Sequence, residues 1–231
     1  MKASDVAELE AAGELVDIHR RTLTPGSAFT AALRGEHCRI FGLGDDLRAM
    51  PAWRWRGDAD AGDHQLLARC QGTTVDIGCG PGRMTHALLC LGVRALGIDV
   101  VPEAVRQARR RGGLALERDV FSPLPAEGRW DTALLADGNI GIGGDPLRLL
   151  RRVEELIVDS GRVVVDLSRP GGQVSVHHIG LEVAGRRSQP FPWAIVPADR
   201  IEQLAAEASL RVLEVVEHSG RWFAALQKRA S

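Results

Sequence analysis

The sequence has 231 residues, of which 45% are hydrophobic and 26% are charged, and this is typical of one soluble α/β domain with or without a small extension. Its formal net charge of −1 excludes an overall basic field that would attract nucleic acid or an anionic membrane. No stretch resembles a signal peptide or a membrane span, and the four cysteines lack metal-like spacing. We therefore expect a cytoplasmic protein with reduced thiols, without nucleic-acid or membrane partners.

Residues 1–62 precede the regular part of the chain. Their polar, amphipathic beginning and irregular end predict a helical and loop-like cap on the main domain. Trp53 and Trp55 lie in the irregular part. Such aromatic side chains are equally consistent with a small-molecule pocket or lid and with a core or oligomer contact.

Residues 63–231 alternate between short apolar runs and segments of helical period, which predicts βαβ units and a doubly wound, mostly parallel sheet. Five strands are predicted at 73–77, 95–99, 114–119, 131–136 and 162–167. "LRVLEVVEHSG" and "RWFAALQKR" predict two final strands, antiparallel to each other. Helices are predicted to begin at Pro102 and at Pro146, the latter capped by Asp145.

The regular alternation is interrupted between residues 168 and 197, which we interpret as an insertion. "QVSVHHIGLEVAG" predicts a strand or hairpin, and "SQPFPWAIVP" predicts a proline-rich loop that contains Trp193. His177 and His178 are adjacent on the alternating stretch, so their side chains are expected on opposite faces. One of them is a candidate general base, although a surface or structural role is the simpler explanation of each histidine taken singly.

The stretch "VDIGCGPG", residues 75–82, places Asp76, Gly78, Gly80 and Gly82 directly after a predicted strand. Glycines there allow a sharp turn and the close approach of a ligand. The spacing is GxGxG and not the GxGxxG of dinucleotide sites. Asp76 would repel a pyrophosphate but not a cationic cofactor.

Two further carboxylates end the next predicted strands. Asp99 follows Gly78 by 21 residues, which is the usual place for an acid that binds ribose hydroxyls. Asp119 ends the third strand. Its carboxylate is suited to accept a hydrogen bond from an exocyclic amino group, while Val120 packs against a base.

"VDIGCGPG", "GIDVVPEAV", "RDVFSPLP" and "LLADGN", in this order, resemble the successive motifs of class I S-adenosylmethionine-dependent methyltransferases, over residues 70 to about 167. The resemblance implies a Rossmann-like seven-stranded sheet with helices on both faces, an antiparallel last strand and an N-terminal helical extension. It implies S-adenosyl-L-methionine as the cofactor. The implied cofactor-binding residues are Asp76, Gly78, Cys79, Gly80, Gly82, Asp99, Val100, Asp119, Val120, Ala136, Asp137 and Gly138.

The end of the fourth strand, "ADGNIGIGG", is expected to border the acceptor, so Asn139, Trp53, Trp55 and Trp193 are candidate substrate residues. The stretch lacks the Asn/Asp-Pro-Pro-aromatic motif of adenine-N6 and glutamine methyltransferases. The sequence also lacks the Pro-Cys pair that covalent cytosine methylation requires. Small-molecule acceptors therefore remain, with an oxygen, nitrogen or carbon nucleophile. Gly141, Gly143 and Gly144 predict a flexible lip past which an acceptor could enter.

His64 and Asp137 are further candidates for a general base beside the two adjacent histidines. Asp166 is followed by leucine and not by the asparagine of catechol-type metal sites, so we predict no metal. Two alternatives stay open: a cofactor-binding protein without transferase activity, and another transferase or cyclase that uses the same cofactor site. A homodimer is also possible.

Overall fold

The computed structural model describes residues 22–44 and 47–229. Its helices are α1 (Pro25–Leu33), α2 (Ala52–Arg56), α3 (Ala61–Leu67), α4 (Arg83–Cys90), α5 (Pro102–Arg110), α6 (Pro146–Leu156) and α7 (Ile201–Glu207). Its strands are β1 (Cys38–Phe41), β2 (Arg48–Ala49), β3 (Thr74–Ile77), β4 (Ala95–Asp99), β5 (Leu114–Glu117), β6 (Trp130–Leu135), β7 (Ile157–Leu167), β8 (Ser175–Val183), β9 (Arg186–Arg187), β10 (Phe191–Ile195), β11 (Leu210–His218) and β12 (Arg221–Lys228). In this part of the chain, no helix is long and apolar enough to cross a membrane.

Seven strands form the main sheet in the order β11-β12-β7-β6-β3-β4-β5. Strands β7, β6, β3, β4 and β5 are parallel, and β12 is antiparallel to both β7 and β11. This confirms the predicted Rossmann-like sheet with its antiparallel last strand. The strand order reverses at β3. In open α/β sheets, ligands bind at such a point, outside the carboxyl ends of the strands.

The helices beside this sheet begin where the sequence predicted. α6 starts at Pro146, and the side chain of Asp145 accepts a hydrogen bond from the backbone N–H of Arg148 at 2.9 Å. Val101, in front of α5, supplies no side-chain cap. The carboxylate of Asp99 accepts the N–H of Val101 at 2.8 Å, so this donor is paired without a capping serine or threonine.

The middle of β7 is buried on both faces. Val163, Val164 and Val165 are each fully buried. Val163 and Val165 pack in one cluster with Leu149 of α6, whereas Val164 packs with Leu88 of α4 on the other face. A continuous apolar run is what a parallel strand covered on both faces requires.

A second, smaller sheet has the order β10-β8-β1-β2, with β9 paired to β8. β8 lies in the stretch predicted as a strand or hairpin, but the predicted loop at β10 was wrong, and β1 and β2 were not predicted. Pro192 is compatible with β10 because this strand lies at the edge of the sheet. Pairing between the first fifty residues and residues 175–195 is long-range, so neither segment alone indicates it.

The second sheet lies at the carboxyl ends of β6 and β7. Ile142, which follows β6, forms a β-bridge with Trp193, and Ser168, which follows β7, forms one with Pro197. Residues 1–21 of the predicted cap lie outside the described residues. The domain boundary at residue 62 stays a prediction.

Candidate functional site

The first glycine-rich loop joins β3 to α4, and its three glycines have different surroundings. A Cβ added at Gly80 would meet nothing within 4 Å, whereas one at Gly78 would lie 2.7 Å from Nδ2 of Asn139. One at Gly82 would lie 2.7 Å from Cβ of Ala108. All three glycines have positive φ. Gly80 alone of the three leaves room for a ligand, and the other two permit close packing inside the protein.

Asp76 lies beneath this loop and points into the protein. It is 1% exposed and accepts a hydrogen bond from Oγ1 of Thr85 at 2.6 Å. Burial is the main cause that raises the pKa of Asp76 to about 7. The hydrogen bond from Thr85 opposes this rise, and the negative charges of Asp137 and Asp99 add to it. A nearby cation would therefore be favoured.

Three other residues predicted for the cofactor site have buried side chains. Cys79, Val120 and Ala136 are at most 7% exposed. Sγ of Cys79 would lie 2.6 Å from a Cβ added at Gly97 in β4. These side chains support the loops of the site from the core side.

Asp99 ends β4 and is hydrogen-bonded to the glycine loop. Its Oδ2 accepts the N–H of Gly80 at 2.9 Å. Burial raises the pKa of Asp99, and hydrogen bonds from backbone N–H groups, first that of Val101, oppose the rise. Val100 is apolar but 63% exposed. A carboxylate beside an exposed apolar side chain suits a ligand in which hydroxyl groups adjoin a flat ring.

Asp119 lies in the turn after β5. It is exposed, and its Oδ1 accepts the N–H of Phe121 at 2.9 Å. The guanidinium of Arg148 lies 4.0 Å from the centre of the Phe121 ring. This turn brings a second carboxylate to the carboxyl edge of the sheet, as the sequence predicted.

The chain turns sharply after β6, because Asp137 and Gly138 have φ values of 51° and 76°. Nδ2 of Asn139 donates to the carbonyl oxygens of Ile77 at 2.8 Å and Gly78 at 3.0 Å. The amide of Asn139 therefore holds the first glycine loop in place. Its contact with a substrate stays a prediction.

The glycines that follow pack against the second sheet. A Cβ added at Gly141 would lie 2.2 Å from the carbonyl oxygen of Ala194, and one at Gly144 would lie 2.7 Å from Cβ of Pro192. The predicted flexible lip is therefore wrong at Gly141 and Gly144. These glycines allow β10 to approach the loop closely.

The register of β8 and β10 places His177 directly opposite Trp193. Nε2 of His177 lies 2.9 Å from Oγ of Ser175, and the ring is half-buried. His178 is exposed and lies on the opposite face of β8. The expected separation of the two histidines is thus present, and His177 shares its face with Trp193.

The remaining aromatic and histidine candidates lie on α2 and α3. Trp53 is 72% exposed. Trp55 packs against Leu33 of α1 and against Val101, which precedes α5, so its ring belongs to a core contact. Nδ1 of His64 lies 2.8 Å from the carbonyl oxygen of Asp60 in its own helix.

A buried ion network beside the first loop was missed by the sequence analysis. Arg83, the first residue of α4, pairs with Asp63 and Asp137, and Arg221 reaches Asp63 at 2.8 Å and Asp166 at 2.7 Å. The members belong to α3, α4, β7, β12 and the turn after β6, so no local pattern marks them. Residues 22–44 and 47–229 contain no cluster of three or more His, Cys, Asp or Glu suited to a metal ion.

Residues 74–161 match a family model described as a methyltransferase domain. None of the curated proteins matches the sequence significantly. The matched segment runs from β3 to the beginning of β7. It therefore includes the glycine loop, both acidic strand ends and the turn after β6.

Solved structures share the fold over most of the chain. A methyltransferase from Bacteroides fragilis in complex with S-adenosyl-L-homocysteine has a TM-score of 0.75 at 20% identity, covering 89% of this chain and 94% of that one. The Burkholderia thailandensis 1,6-didemethyltoxoflavin-N1-methyltransferase has a TM-score of 0.59 at 18% identity, with 83% and 96% covered. The sugar N-methyltransferase KedS8 from a Streptoalloteichus species has a TM-score of 0.57 at 18% identity, with 81% and 96% covered.

At these identities, the structural likeness shows the fold, and the family model matches the segment that contains the site. The sheet order, the glycine loop after β3 and the match over residues 74–161 agree with one another. Residues 74–161 thus match the methyltransferase domain family, and the chain has the fold of S-adenosylmethionine-dependent methyltransferases.

Proposed function

We propose that this chain is a methyltransferase that binds S-adenosyl-L-methionine along the carboxyl ends of β3 to β6 and methylates an uncharged small molecule held against the second sheet. The observation that carries the proposal is the open backbone at Gly80, whose N–H donates to the Asp99 carboxylate, in a loop that Asn139 contacts at Gly78. When bound, the cofactor supplies an electrophilic methyl group on a sulfonium.

The residues at this edge fit the parts of the cofactor. Asp99 offers carboxylate oxygens to ribose hydroxyl groups, and the exposed side chain of Val100 offers an apolar surface to adenine. Asp119 offers an acceptor to the adenine amino group. Carboxylate oxygens accept hydrogen bonds from hydroxyl and amino groups, and apolar side chains pack against flat rings.

The charge of the site favours a cationic ligand. Asp76 is held under the loop without a cationic partner among its hydrogen bonds, and burial together with nearby carboxylates raises its pKa to about 7. A sulfonium or ammonium near this carboxylate would stabilise its ionised form. A dinucleotide pyrophosphate would be repelled.

The second sheet supports an uncharged acceptor with an aromatic or otherwise flat part. The strand register places Trp193 beside His177, and Phe191 beside Ile179, on one face. Trp193 meets Phe191 edge-on, with ring centres 6.4 Å apart. The residues of this face that are not buried include no acidic, lysine or arginine side chain: Ser175 and His177 on β8, and Phe191, Trp193 and Ile195 on β10. Ile179, Leu181 and Val183, on the same face of β8, are buried.

We assign the base role to His177 for an acceptor that must lose a proton. The His177 ring shares a face with Trp193, and Trp193 borders the turn after β6 at Gly141. Oγ of Ser175 lies 2.9 Å from Nε2 of His177 and orients the ring. Asp137 is already paired with Arg83, and His178 lies on the other face. Methyl transfer is an in-line displacement, so the face that carries His177 and Trp193 also contributes to the rate by aligning the acceptor.

Two structural neighbours support a small-molecule acceptor, since one is a 1,6-didemethyltoxoflavin-N1-methyltransferase and the other is a sugar N-methyltransferase. A cytoplasmic location, the absence of nucleic-acid and membrane partners, and a homodimer are further proposals from the sequence. Size-exclusion chromatography with light scattering tests the last of these.

The test begins with binding. S-adenosylmethionine and S-adenosylhomocysteine should raise the melting temperature of the chain, and NAD should not. Methyl-labelled cofactor is then incubated with the chain and a metabolite extract. Label in a small product supports the proposal. Label only in macromolecules overturns the acceptor class, binding without transfer supports a cofactor-binding protein, and no shift with either cofactor overturns the site.

A further inference from the structure

Asp63 is the centre of the buried ion network between α3 and the main sheet. Its side chain is 0% exposed and forms a capping box with Asp60 in the first turn of α3. Oδ1 accepts from Arg221 at 2.8 Å and from Arg54 at 3.2 Å. Oδ2 accepts from Arg83 and from the backbone N–H of Asp60. One carboxylate therefore ties α2, α3, α4 and β12 together.

Arg83 connects this carboxylate to the turn after β6. Its side chain is 2% exposed, and its two terminal nitrogens donate separately to Asp63 and Asp137. Its buried Nε has no hydrogen-bond partner within the described structure. The orientation of the guanidinium is therefore set by the two carboxylates.

Asp137 has a backbone conformation that needs such a restraint. Its φ of 51° lies in the left-handed region, and a residue other than glycine persists there only where its surroundings over-determine it. Arg83 contacts one oxygen of its carboxylate, and Arg221 lies 3.9 Å from the other. The Asp137 side chain is 21% exposed, so it lies between the buried network and the open side of the turn.

We propose that Asp63 and Arg83 form a positioning pair that fixes Asp137, and with it the turn that borders the amino-acid end of the cofactor. This inference rests on the proposed function. Neither Asp63 nor Arg83 needs to touch the cofactor. By thermodynamic linkage, if this pair raises the affinity for the ligand, then bound ligand must stabilise α3 by the same free energy.

Two variants test the pair by calorimetric titration with S-adenosylhomocysteine. Arg83→Lys keeps the charge but cannot bridge two carboxylates with a planar fork. Asp63→Asn keeps the shape and removes the charge. Each should weaken binding about tenfold, as is usual for coupled sites. Glu182→Gln is the matched control, because it removes a carboxylate held by Arg39 and Arg187 in the second sheet, and it should leave the affinity unchanged.

Hydrogen exchange tests the same pair, and its wild-type measurement does not depend on the folding of a variant. S-adenosylhomocysteine should slow exchange at the amides of α3, and Arg83→Lys should remove that protection. Unchanged affinity in Arg83→Lys, or exchange in α3 that does not respond to ligand in a wild-type chain that binds it, overturns the positioning proposal. A wild-type chain that binds no ligand overturns the proposed function instead. If Asp63→Asn does not fold, the other two measurements decide.

Discussion

Nδ2 of Asn139 lies 3.0 Å from the carbonyl oxygen of Gly78, so the two glycine-rich loops of the protein are hydrogen-bonded to each other. The same amide group donates to the carbonyl oxygen of Ile77 at 2.8 Å. Gly78 must be glycine for this contact, because a Cβ there would lie 2.7 Å from the amide nitrogen. The turn after β6 and the loop after β3 therefore behave as one unit.

Replacing this amide by a carboxylate should loosen the unit. Asn139→Asp removes both donors and places a negative charge against two carbonyl oxygens, which we expect to cost on the order of 1–3 kcal/mol of unfolding free energy. Urea denaturation measures this cost. Gln203→Glu makes the same chemical change at an exposed position of α7 and should cost much less. Equal costs in the two variants would contradict the assigned role of Asn139.

Gly80 and Gly92 form a matched pair for testing where the ligand lies. Both have positive φ, and a Cβ added at either would meet nothing within 4 Å. Valine should therefore strain the backbone of both variants similarly. Gly92 lies between α4 and β4, at the opposite end of the strands from the site. Gly80→Val should abolish binding of S-adenosylhomocysteine in calorimetry, and Gly92→Val should retain it. Retained binding in Gly80→Val would place the ligand elsewhere.

The main sheet could be predicted from the sequence because its signals are local. Apolar runs such as Val163–Val165, and caps such as Asp145 before Pro146, act within one element and its neighbour. The pairing of Arg39 with Glu182 joins residues 143 positions apart, and the second sheet depends on such contacts. Strand ends such as Asp99 were found in the same local way. Arg83 was missed because its two partners come from different elements and nothing in its own helix indicates them.

The buried carboxylate of Asp76 should make stability depend on pH. Its pKa is about 7 in the folded chain against an ordinary value of 3.8, so between these pH values the folded state keeps a proton that the unfolded state has lost. Its contribution to the unfolding free energy is fully present below about pH 4 and is lost as pH rises through about 7. Within that window, the slope from this group approaches roughly 1.4 kcal/mol per pH unit.

Asp76→Asn should remove this slope, because asparagine can still accept the hydrogen bond from Thr85 but does not ionise. Urea denaturation of both chains at pH 5, 6, 7 and 8 measures the difference. Asp131→Asn is a control of opposite sign, since hydrogen bonds from Thr73 lower the pKa of Asp131. The pH dependence of stability that this group causes should therefore lie below about pH 4. Parallel profiles of wild type and Asp76→Asn between pH 5 and 8 would show that another group is responsible.

Close packing of the second sheet predicts a cost for the smallest possible side chain at Gly141. A Cβ there would lie 2.2 Å from the carbonyl oxygen of Ala194 and 2.6 Å from Nε1 of Trp193, so Gly141→Ala must displace β10. We expect a loss of about 1–3 kcal/mol in unfolding free energy. Gly26→Ala, in open surroundings on α1, should be neutral or slightly stabilising. A neutral Gly141→Ala would mean that β10 can withdraw from the loop.

The adjacent histidines of β8 offer an internal comparison for the chemical step. His177→Gln removes the imidazole that lies opposite Trp193 and 2.9 Å from Ser175, whereas His178→Gln changes the exposed face. For an acceptor that must be deprotonated, His177→Gln should slow methyl transfer by roughly 10²–10⁴-fold. It should leave the affinity for S-adenosylhomocysteine unchanged, because the proposed cofactor site lies on the main sheet. Initial rates of label transfer across a pH series, beside calorimetric affinities, separate these effects. Equal rates in the two variants would show that His177 is not the base. The face of β8 that carries it would then serve only to align the acceptor.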